Sequence, residues 1–427
     1  MKKTILILTL LCAATITQAQ VGIGTASPDS SSILDLTSTS KGLLAPRMTT
    51  SERDAITSPV RGLQIYNTDN RAIETFTGAT GGWFTLGRGK GAIASNTAVG
   101  VQALHSNTSG NGNTAVGVEV LHSNTQGFLN TATGFQALYS NLRGNNNTAN
   151  GYRALTSNIN ADHNTATGFN ALFSNTTGDG NTANGYRALY SNTTGKFNTA
   201  IGFSALQNAA ATAGTYNTVI GYQADVSSGG LTNATAIGNG ATVTGSNKVR
   251  IGDASVTTIT GQVAWSSVSD GRIKENVQEA VPGLSFIAEL RPVTYTLNTR
   301  KQDVLTMQAM PDSIQEERML SDDEYLASSS IVRTGFIAQE VEAAAKKVGF
   351  DFDGVSTPQN ETDLYGIRYA EFVVPLVKAT QEQQAIITEL KATAEEQQAT
   401  INGQQAKIDQ QKSDYLLLLK RIEALEK

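Results

Sequence analysis

The sequence predicts a mainly β chain in which a parallel solenoid of 17-residue repeats precedes an α+β segment and a C-terminal coiled coil. Three observations predict this order. The pattern Asn-Thr-Ala-x-Gly recurs at an unvarying period of 17 in seven copies. Charged residues return and the repeat stops after residue 262. The residues from 372 onward keep an apolar 3-4 spacing that is typical of supercoiled helices.

The first 19 residues have the pattern of a secretory signal peptide. Two lysines precede a short apolar run from Ile5 to Ile16, and the Thr-Gln-Ala that follows resembles a signal cleavage site. The run is too short to span a bilayer. A lipid anchor on Cys12 is the rival interpretation, but bulky Leu11 stands where a small residue would be expected. Removal of residues 1–19 would leave a secreted or cell-surface chain with no cysteine and no membrane span.

The amino-acid composition favours a stacked β structure and argues against nucleic-acid, cofactor and metal binding. Glycine is frequent (40 residues), proline is rare (8), and charged residues make up only 16%. Together with many Asn and Thr, this favours stacked β structure with tight corners and polar ladders. A net charge of -5 provides no basic field for nucleic acid. The sequence contains no phosphate loop or His/Cys cluster, so no cofactor and no metal are predicted.

Two weak metal signals have plainer interpretations. His105 and His122 lie one period apart, but Tyr, Thr and Phe hold the same place in later repeats, so a bulky corner position is predicted. The acidic stretch 351–363 lacks the spacing of a calcium loop.

Residues 20–90 are predicted to form a turn-rich β module. The stretches GLLAPRMT and GLQIYNTD resemble short strands bounded by turn signals, and Trp83 lies near the end of the module. The region is similar to modules that directly follow the signal peptide in secreted bacterial proteins.

Residues 91–262 are predicted to form the solenoid, with one coil per repeat and like residues stacked on like. Each Thr-Ala-x-Gly suits a short strand, and its glycine allows a corner with positive φ. One leucine per coil is predicted to be buried, because a column of exposed leucines would form a long apolar stripe. These residues are Leu104, Leu121, Leu138, Leu155, Leu172, Leu189 and Leu206.

The repeats resemble those of trimeric autotransporter adhesin heads and phage tail fibres. That resemblance implies a left-handed parallel β-roll assembled as a homotrimer, with a cell-surface glycan or protein as its ligand. The variable residue of Thr-Ala-x-Gly is apolar at both ends of the column and polar in the middle. It could face a three-fold axis or solvent, and the sequence leaves both open. The residues are Val99, Val116, Thr133, Asn150, Thr167, Asn184, Ile201, Ile220, Ile237 and Ile251.

Residues 263–371 are predicted to be α+β. Residues 281–297 indicate a helix leading into a strand, with a break at Pro292. The polar stretch 300–330 is predicted to be a loop or an insertion, and residues 331–349 indicate a strand followed by an amphipathic helix.

Residues 372–427 form the predicted coiled coil. With Ile387 at position a, the seam continues through Leu390 to Ile422 and Leu425, and three glutamines at d could fix register and strand number. The alternative is a lone amphipathic helix that folds onto its own domain.

A short polar motif marks the boundary between the two halves, running from Ser269 through Asp270 and Arg272 to Lys274. A serine hydroxyl needs a positioned base to act as a nucleophile, and a lysine serves as that base only when neutral. Arg272 could help by lowering the lysine pKa. A plain turn with a surface lysine is the alternative.

This motif resembles the opening of the endosialidase-type intramolecular chaperone, an auto-processing domain. Three further blocks, at 283–297, 335–342 and 369–384, follow in the family's order before the coiled coil. The resemblance covers about residues 268–427. It implies that Ser269 is the nucleophile, Lys274 the general base, and the Val268–Ser269 bond the cleavage site, with Asp270 and Arg272 in support.

Three functions compete. The first is a structural or adhesive fibre whose only chemistry is self-cleavage. The second is a tailspike-like enzyme that degrades polysaccharide, which would usually need paired carboxylates. Between residues 91 and 250 the acids are Glu119, Asp162, Asp179 and Asp225, with no repeating pair. The third is a regulator released by cleavage, but the sequence has neither a DNA-binding nor a transmembrane feature.

Overall fold

The computed structural model describes residues 20–425 except 79–81, 88–92, 94, 208–212 and 264. The predicted signal peptide, with Cys12, therefore lies outside the described residues. From residue 20 onward the chain forms a small β module, a long column of stacked coils, an exposed connecting segment, a mixed α/β part and a long helix.

The N-terminal module ends by joining the column. Its elements are β1 (Val21–Ile23), β2 (Leu34–Leu36), β3 (Arg47–Met48), α1 (Thr50–Asp54), β4 (Gln64–Asn67), β5 (Ala72–Phe76) and β6 (Trp83–Gly87). A fully buried Glu74 is held by Arg53 at 2.7 Å. Strands β4 to β6 pair antiparallel, and β6 then pairs antiparallel with the first strand of the column.

The column is a ladder of short parallel strands in strict register, in which Thr148 lies beside Thr165 and Ala149 beside Ala166. Among the described residues, one continuous sheet of 14 strands runs from β3 to the end of the column. The column strands are β7 (Thr97–Gly100), β8 (Thr114–Val116), β9 (Thr131–Thr133), β10 (Thr148–Asn150), β11 (Thr165–Thr167), β12 (Thr182–Asn184), β13 (Thr199–Ile201), β14 (Thr218–Ile220), β15 (Asp225–Val226), β16 (Thr235–Ile237), β17 (Thr242–Val243) and β18 (Val249–Ile251). The predicted solenoid of 17-residue coils is confirmed.

The column interior combines an aliphatic core with buried asparagines. The middle alanine of each regular strand and the predicted leucine series are completely or almost completely buried. Two ladders of buried asparagines run alongside. In the first, the backbone amide of Asn113 donates to the side-chain oxygen of Asn96 at 2.8 Å, and later coils repeat this bond. In the second, Nδ2 of Asn124 donates to Oδ1 of Asn107 at 3.0 Å.

The corners of each coil use left-handed backbone. Gly151 has a φ of +140°, and a Cβ on it would lie 2.4 Å from the backbone oxygen of Gly168 in the next coil. Only glycine fits such a corner. The buried leucines also have positive φ, as in Leu155 at 53°, and so does the residue two places before it, Arg153 at 54°. Residues other than glycine are strained at positive φ. The stacking of neighbouring coils must therefore stabilise these corners.

The C-terminal part is mixed α/β around a phenylalanine cluster. Phe286 is completely buried and packs against Phe350, Phe352 and Phe372. Residues 300–330, predicted as a loop or insertion, instead fold into three short helices. The elements are α2 (Leu284–Ile287), β19 (Val293–Tyr295), α3 (Thr299–Met307), α4 (Asp312–Arg318), α5 (Asp322–Ser329), β20 (Arg333–Gly335), α6 (Ala338–Lys347), β21 (Val355–Ser356), β22 (Gly366–Ile367) and α7 (Val373–Leu425).

Helix α7 is continuous over 53 residues. Its first turns pack on α2, where the carboxylate of Glu382 accepts from the backbone amide of Leu284 at 2.7 Å. Beyond that contact its seam is open, and Ile387, Leu390 and Ile408 are exposed. The seam is therefore not folded onto its own domain. Within the described residues, no helix is both long and apolar enough to cross a membrane.

Candidate active site

The candidate site lies in the exposed segment that connects the column to the α/β part. Among the residues that the structure describes between β18 and α2, the one regular element is a 3-10 turn at Gly271–Ile273. Asp270 caps this turn, because its carboxylate accepts from the backbone amide of Arg272 at 2.9 Å. A capped turn of this size reverses the chain within a few residues and brings its two flanks together.

The turn places Lys274 against Ser269. The Nζ of Lys274 donates to the Oγ of Ser269 at 2.8 Å. A hydrogen bond between a nucleophile and its base is the geometry that general-base activation requires. In the catalytic direction the proton must move the other way, from the hydroxyl to a neutral amine. The two residues that the sequence selected as nucleophile and base are thus in direct contact.

Arg272 makes its contact with Asp270. Its Nε lies 2.9 Å from one carboxylate oxygen, and its Nη2 lies 2.5 Å from the same oxygen. The side-chain hydrogen bond from Arg272, with that from its backbone, lowers the pKa of Asp270, and the same contact raises the pKa of Arg272. Arg272 is therefore the counter-ion of the carboxylate that caps the turn. Sequence spacing alone did not predict this ion pair.

Several apolar side chains close to Ser269 and Lys274 in the sequence are exposed in the single chain. Trp265 is 91% exposed and Val268 is 84% exposed, and Val263, Ile273 and Val277 are also largely exposed. Large groups of exposed apolar side chains are uncommon on monomeric proteins and are typical of protein interaction surfaces. The polar motif gave no indication of these residues, although a tryptophan four residues before Ser269 is a signal that could have identified them.

The other candidate residues have structural roles. His105 and His122 stack at 5.1 Å, and His122 stacks on Tyr139 at 4.9 Å, so this position forms a stack of rings. The carboxylates of Asp162 and Asp179 accept backbone amides of the neighbouring coil at 2.6 and 3.0 Å. Across the part of the chain that the structure describes, no group of three or more His, Cys, Asp or Glu residues could hold a metal ion.

Comparison with known proteins places two families on the chain. Residues 269–350 match the family described as chaperone of endosialidase, and residues 22–100 match the family described as phage tail like trimerisation region. Neither curated proteins nor solved structures gave a match. The first match begins at Ser269 and includes Lys274. The chain is thus similar to endosialidase chaperones over residues 269–350, as its motifs predicted, and to phage tail-like trimerisation regions over its N-terminal module and first column strand.

Proposed function

We propose that the protein is a homotrimeric fibre at the cell surface or outside the cell, whose C-terminal domain drives trimerisation and then cuts the chain between Val268 and Ser269. The observation that carries the proposal is the 2.8 Å contact between Lys274 Nζ and Ser269 Oγ. It lies at the first residue of the match to endosialidase chaperones and at the junction between column and α/β part.

In the proposed reaction neutral Lys274 takes the hydroxyl proton of Ser269. The Oγ forms a bond to the carbonyl carbon of Val268, in the same chain or a neighbouring one. The bond between that carbon and the Ser269 nitrogen breaks, and the nitrogen receives the proton from Lys274. Water then hydrolyses the ester, which yields a Val268 carboxylate and a free Ser269 at the new N-terminus. Each step uses one nucleophile and one base.

The exposure of the site supports an order of events. A lysine becomes neutral near physiological pH when water is excluded from it. In a single chain the dyad and its apolar neighbours are exposed, so partner chains would supply that exclusion. The open seam of α7 gives the chains a place to associate. Trimerisation should therefore precede cleavage, and the cut would make assembly irreversible and the fibre kinetically stable.

Denaturing gels of residues 20–427 test the chemistry. Wild type should give two bands, whereas Ser269→Ala and Lys274→Ala should remain full length. Ser267→Ala is the matched control, because it removes a nearby exposed hydroxyl and should be cut like wild type. Mass spectrometry of the bands should place the cut after Val268. An uncut wild-type trimer would refute the peptidase while leaving the fibre intact.

Substitutions in the apolar seam of α7 test whether trimerisation precedes cleavage. Ile401→Asp with Ile408→Asp introduces charge at two exposed seam positions. We expect light scattering to report single chains and gels to report loss of cleavage, in the same preparation. Efficient cutting of a single-chain species would contradict the proposed order.

The column offers the remaining fibre interface. Six rings at one position stack at 4.7 to 5.3 Å and are partly exposed: Phe135, Tyr152, Phe169, Tyr186, Phe203 and Tyr222. The exposed variable residues, such as Ile201 and Ile220, lie two places before these rings in the chain. We assign this face to the other two chains of the trimer. Ile201→Glu with Ile220→Glu should lower the melting temperature of the trimer, whereas an unchanged melting temperature would place the face in solvent.

An adhesive role fits better than degradation of a polysaccharide. The carboxylates of Asp162 and Asp179 are occupied by backbone amides, and Asp179 also pairs with Lys196 at 2.7 Å. A glycan array and a viscosity assay separate the alternatives. Binding without shortening of the polymer supports the adhesin, and shortening supports the tailspike-like enzyme.

A further inference from the structure

The last coils of the column are clamped by two segments from beyond the proposed cut. Asp225, in the column, lies 3.6 Å from Arg318 of α4, and the two side chains are only 2% and 3% exposed. Asp225 lies in β15 between Ala224 and Val226, which both belong to the buried aliphatic core of the column. Its carboxylate is thus buried at the point where the C-terminal part supplies the opposite charge.

A second buried contact involves the loop that follows β21. The carboxylate of Asp363 is 1% exposed and accepts from Nζ of Lys248 at 2.6 Å and from the hydroxyl of Thr244 at 2.7 Å. Beside it, the hydroxyls of Ser227 and Thr362 lie 2.8 Å apart and are buried. These contacts link residues more than 110 positions apart on opposite sides of residue 268.

The two contacts make the interface sensitive to loss of either partner. Truncation of one side chain while the two surfaces stay together leaves an uncompensated buried charge, which is strongly unfavourable and speeds dissociation. Hydrogen bonds to charged groups are also stronger than neutral ones. In a trimer the clamp would occur three times on fragments that are joined through α7, so detachment of one copy would be followed by rapid rebinding.

We propose that this interface, formed by Asp225, Thr244 and Lys248 of the column with Arg318 and Asp363 of the C-terminal part, keeps the cleaved fragment bound to the fibre. The partner is thus the chain's own product from residue 269 onward. The inference rests on the proposed cleavage, but the interface exists whether or not the chain cuts itself.

The test therefore replaces self-cleavage with an added protease. A recognition sequence for a site-specific protease is placed at 257–262, an exposed stretch of the connecting segment, in full-length Ser269→Ala protein. After complete digestion the two fragments are run together on a sizing column under native conditions. We expect them to co-elute, and separation of the fragments without any further substitution would overturn the proposal.

A column-side variant identifies the contacts responsible. Asp225→Leu replaces the buried carboxylate with an apolar side chain of similar size, and Lys248→Met removes the second charge. We expect the digested double variant to release its fragment at least about 100-fold faster than the parent, with unchanged circular dichroism. Arg291→Ala is the control, because it removes an exposed pair with Glu340 inside the fragment. Equal release from the double variant and the control would overturn the assignment.

Discussion

The asparagine ladder makes a sharp prediction for Asn147. Its Nδ2 donates to the backbone oxygen of Ala161 at 2.8 Å, and its Oδ1 accepts from the backbone amide of Asn164 at 2.9 Å. Asn147→Ala removes both bonds, together with two longer ones at 3.2 Å, from its Nδ2 to Oδ1 of Asn130 and from Nδ2 of Asn164 to its Oδ1. The oxygen of Ala161 keeps a second donor, Nδ2 of Asn158 at 3.0 Å, whereas the buried amide of Asn164 loses this acceptor.

The expected loss of stability is set by the backbone amide of Asn164, because that amide loses its acceptor while the Ala161 oxygen keeps a donor. A buried donor without a partner costs about 1–3 kcal/mol, which corresponds to roughly a 5- to 150-fold change in a local opening equilibrium. Asn160 provides the control, because it belongs to the same coil and its side chain is exposed. Asn160→Ala should change the free energy of unfolding by no more than about 0.5 kcal/mol.

Hydrogen exchange is the appropriate assay, since global unfolding of the proposed cleaved trimer would be irreversible. Peptides that cover Asn164 should exchange faster in Asn147→Ala by the predicted factor, and peptides several coils away should be unaffected. The same protection of Asn164 in both variants would show that the ladder adds no stability and would refute the reasoning.

Three further predictions concern the column and its clamp. Gly151→Ala should destabilise the column by roughly 2–6 kcal/mol, since it combines a forbidden φ with a backbone clash; Gly403→Ala, in open space on α7, should stabilise the helix by about 1 kcal/mol. Leu155→Ala should lower the free energy of local opening, measured by hydrogen exchange, by about 2–5 kcal/mol, whereas Leu142→Ala, at a 40% exposed leucine, should lower it by less than about 1 kcal/mol. Burial alone would raise the pKa of Asp363, but hydrogen bonds from the column lysine and nearby donors lower it below its usual value. Its contribution to the clamp is thus complete above about pH 4, the pKa of a free aspartate, and is lost as the pH falls further. Co-elution should persist to pH 5, and release beginning near pH 6 would contradict this.

The period allowed the column to be predicted because a repeat of fixed length stacks each residue on its own equivalent. Burial of Leu155 and its equivalents followed from that stacking alone. Their backbone conformation did not, since leucine avoids positive φ on its own and adopts it here only because neighbouring coils impose it. The second asparagine ladder, which includes Asn124, was missed because it lies outside the Asn-Thr-Ala-x-Gly pattern.

The candidate site, like the column, was only partly predictable from the sequence. The spacing of Ser269 and Lys274 predicted their approach, because five residues accommodate one turn. The contact of Arg272 with Asp270 depends on which way two side chains rotate, and spacing does not determine that. The pair of Asp225 with Arg318 joins residues from separate regions, so no local pattern predicts it. The catalytic roles themselves stay predictions until the variants are measured.

The backbone of the coil gives a physical reason for a chaperone at the C-terminal end. Each regular coil holds several residues other than glycine at positive φ, and such residues cost about 1–2 kcal/mol each. A lone coil has no ladder to offset this strain, because its asparagines and strand bonds are completed by the coils on either side. Nucleation is therefore unfavourable, whereas addition to an existing coil is favourable, as in helix formation. The clamp around Asp225 holds the last coils against an independently packed part of the chain, and β6 provides the equivalent support at the other end. A column begun from such a surface starts in register, which a trimer of short identical repeats cannot otherwise guarantee.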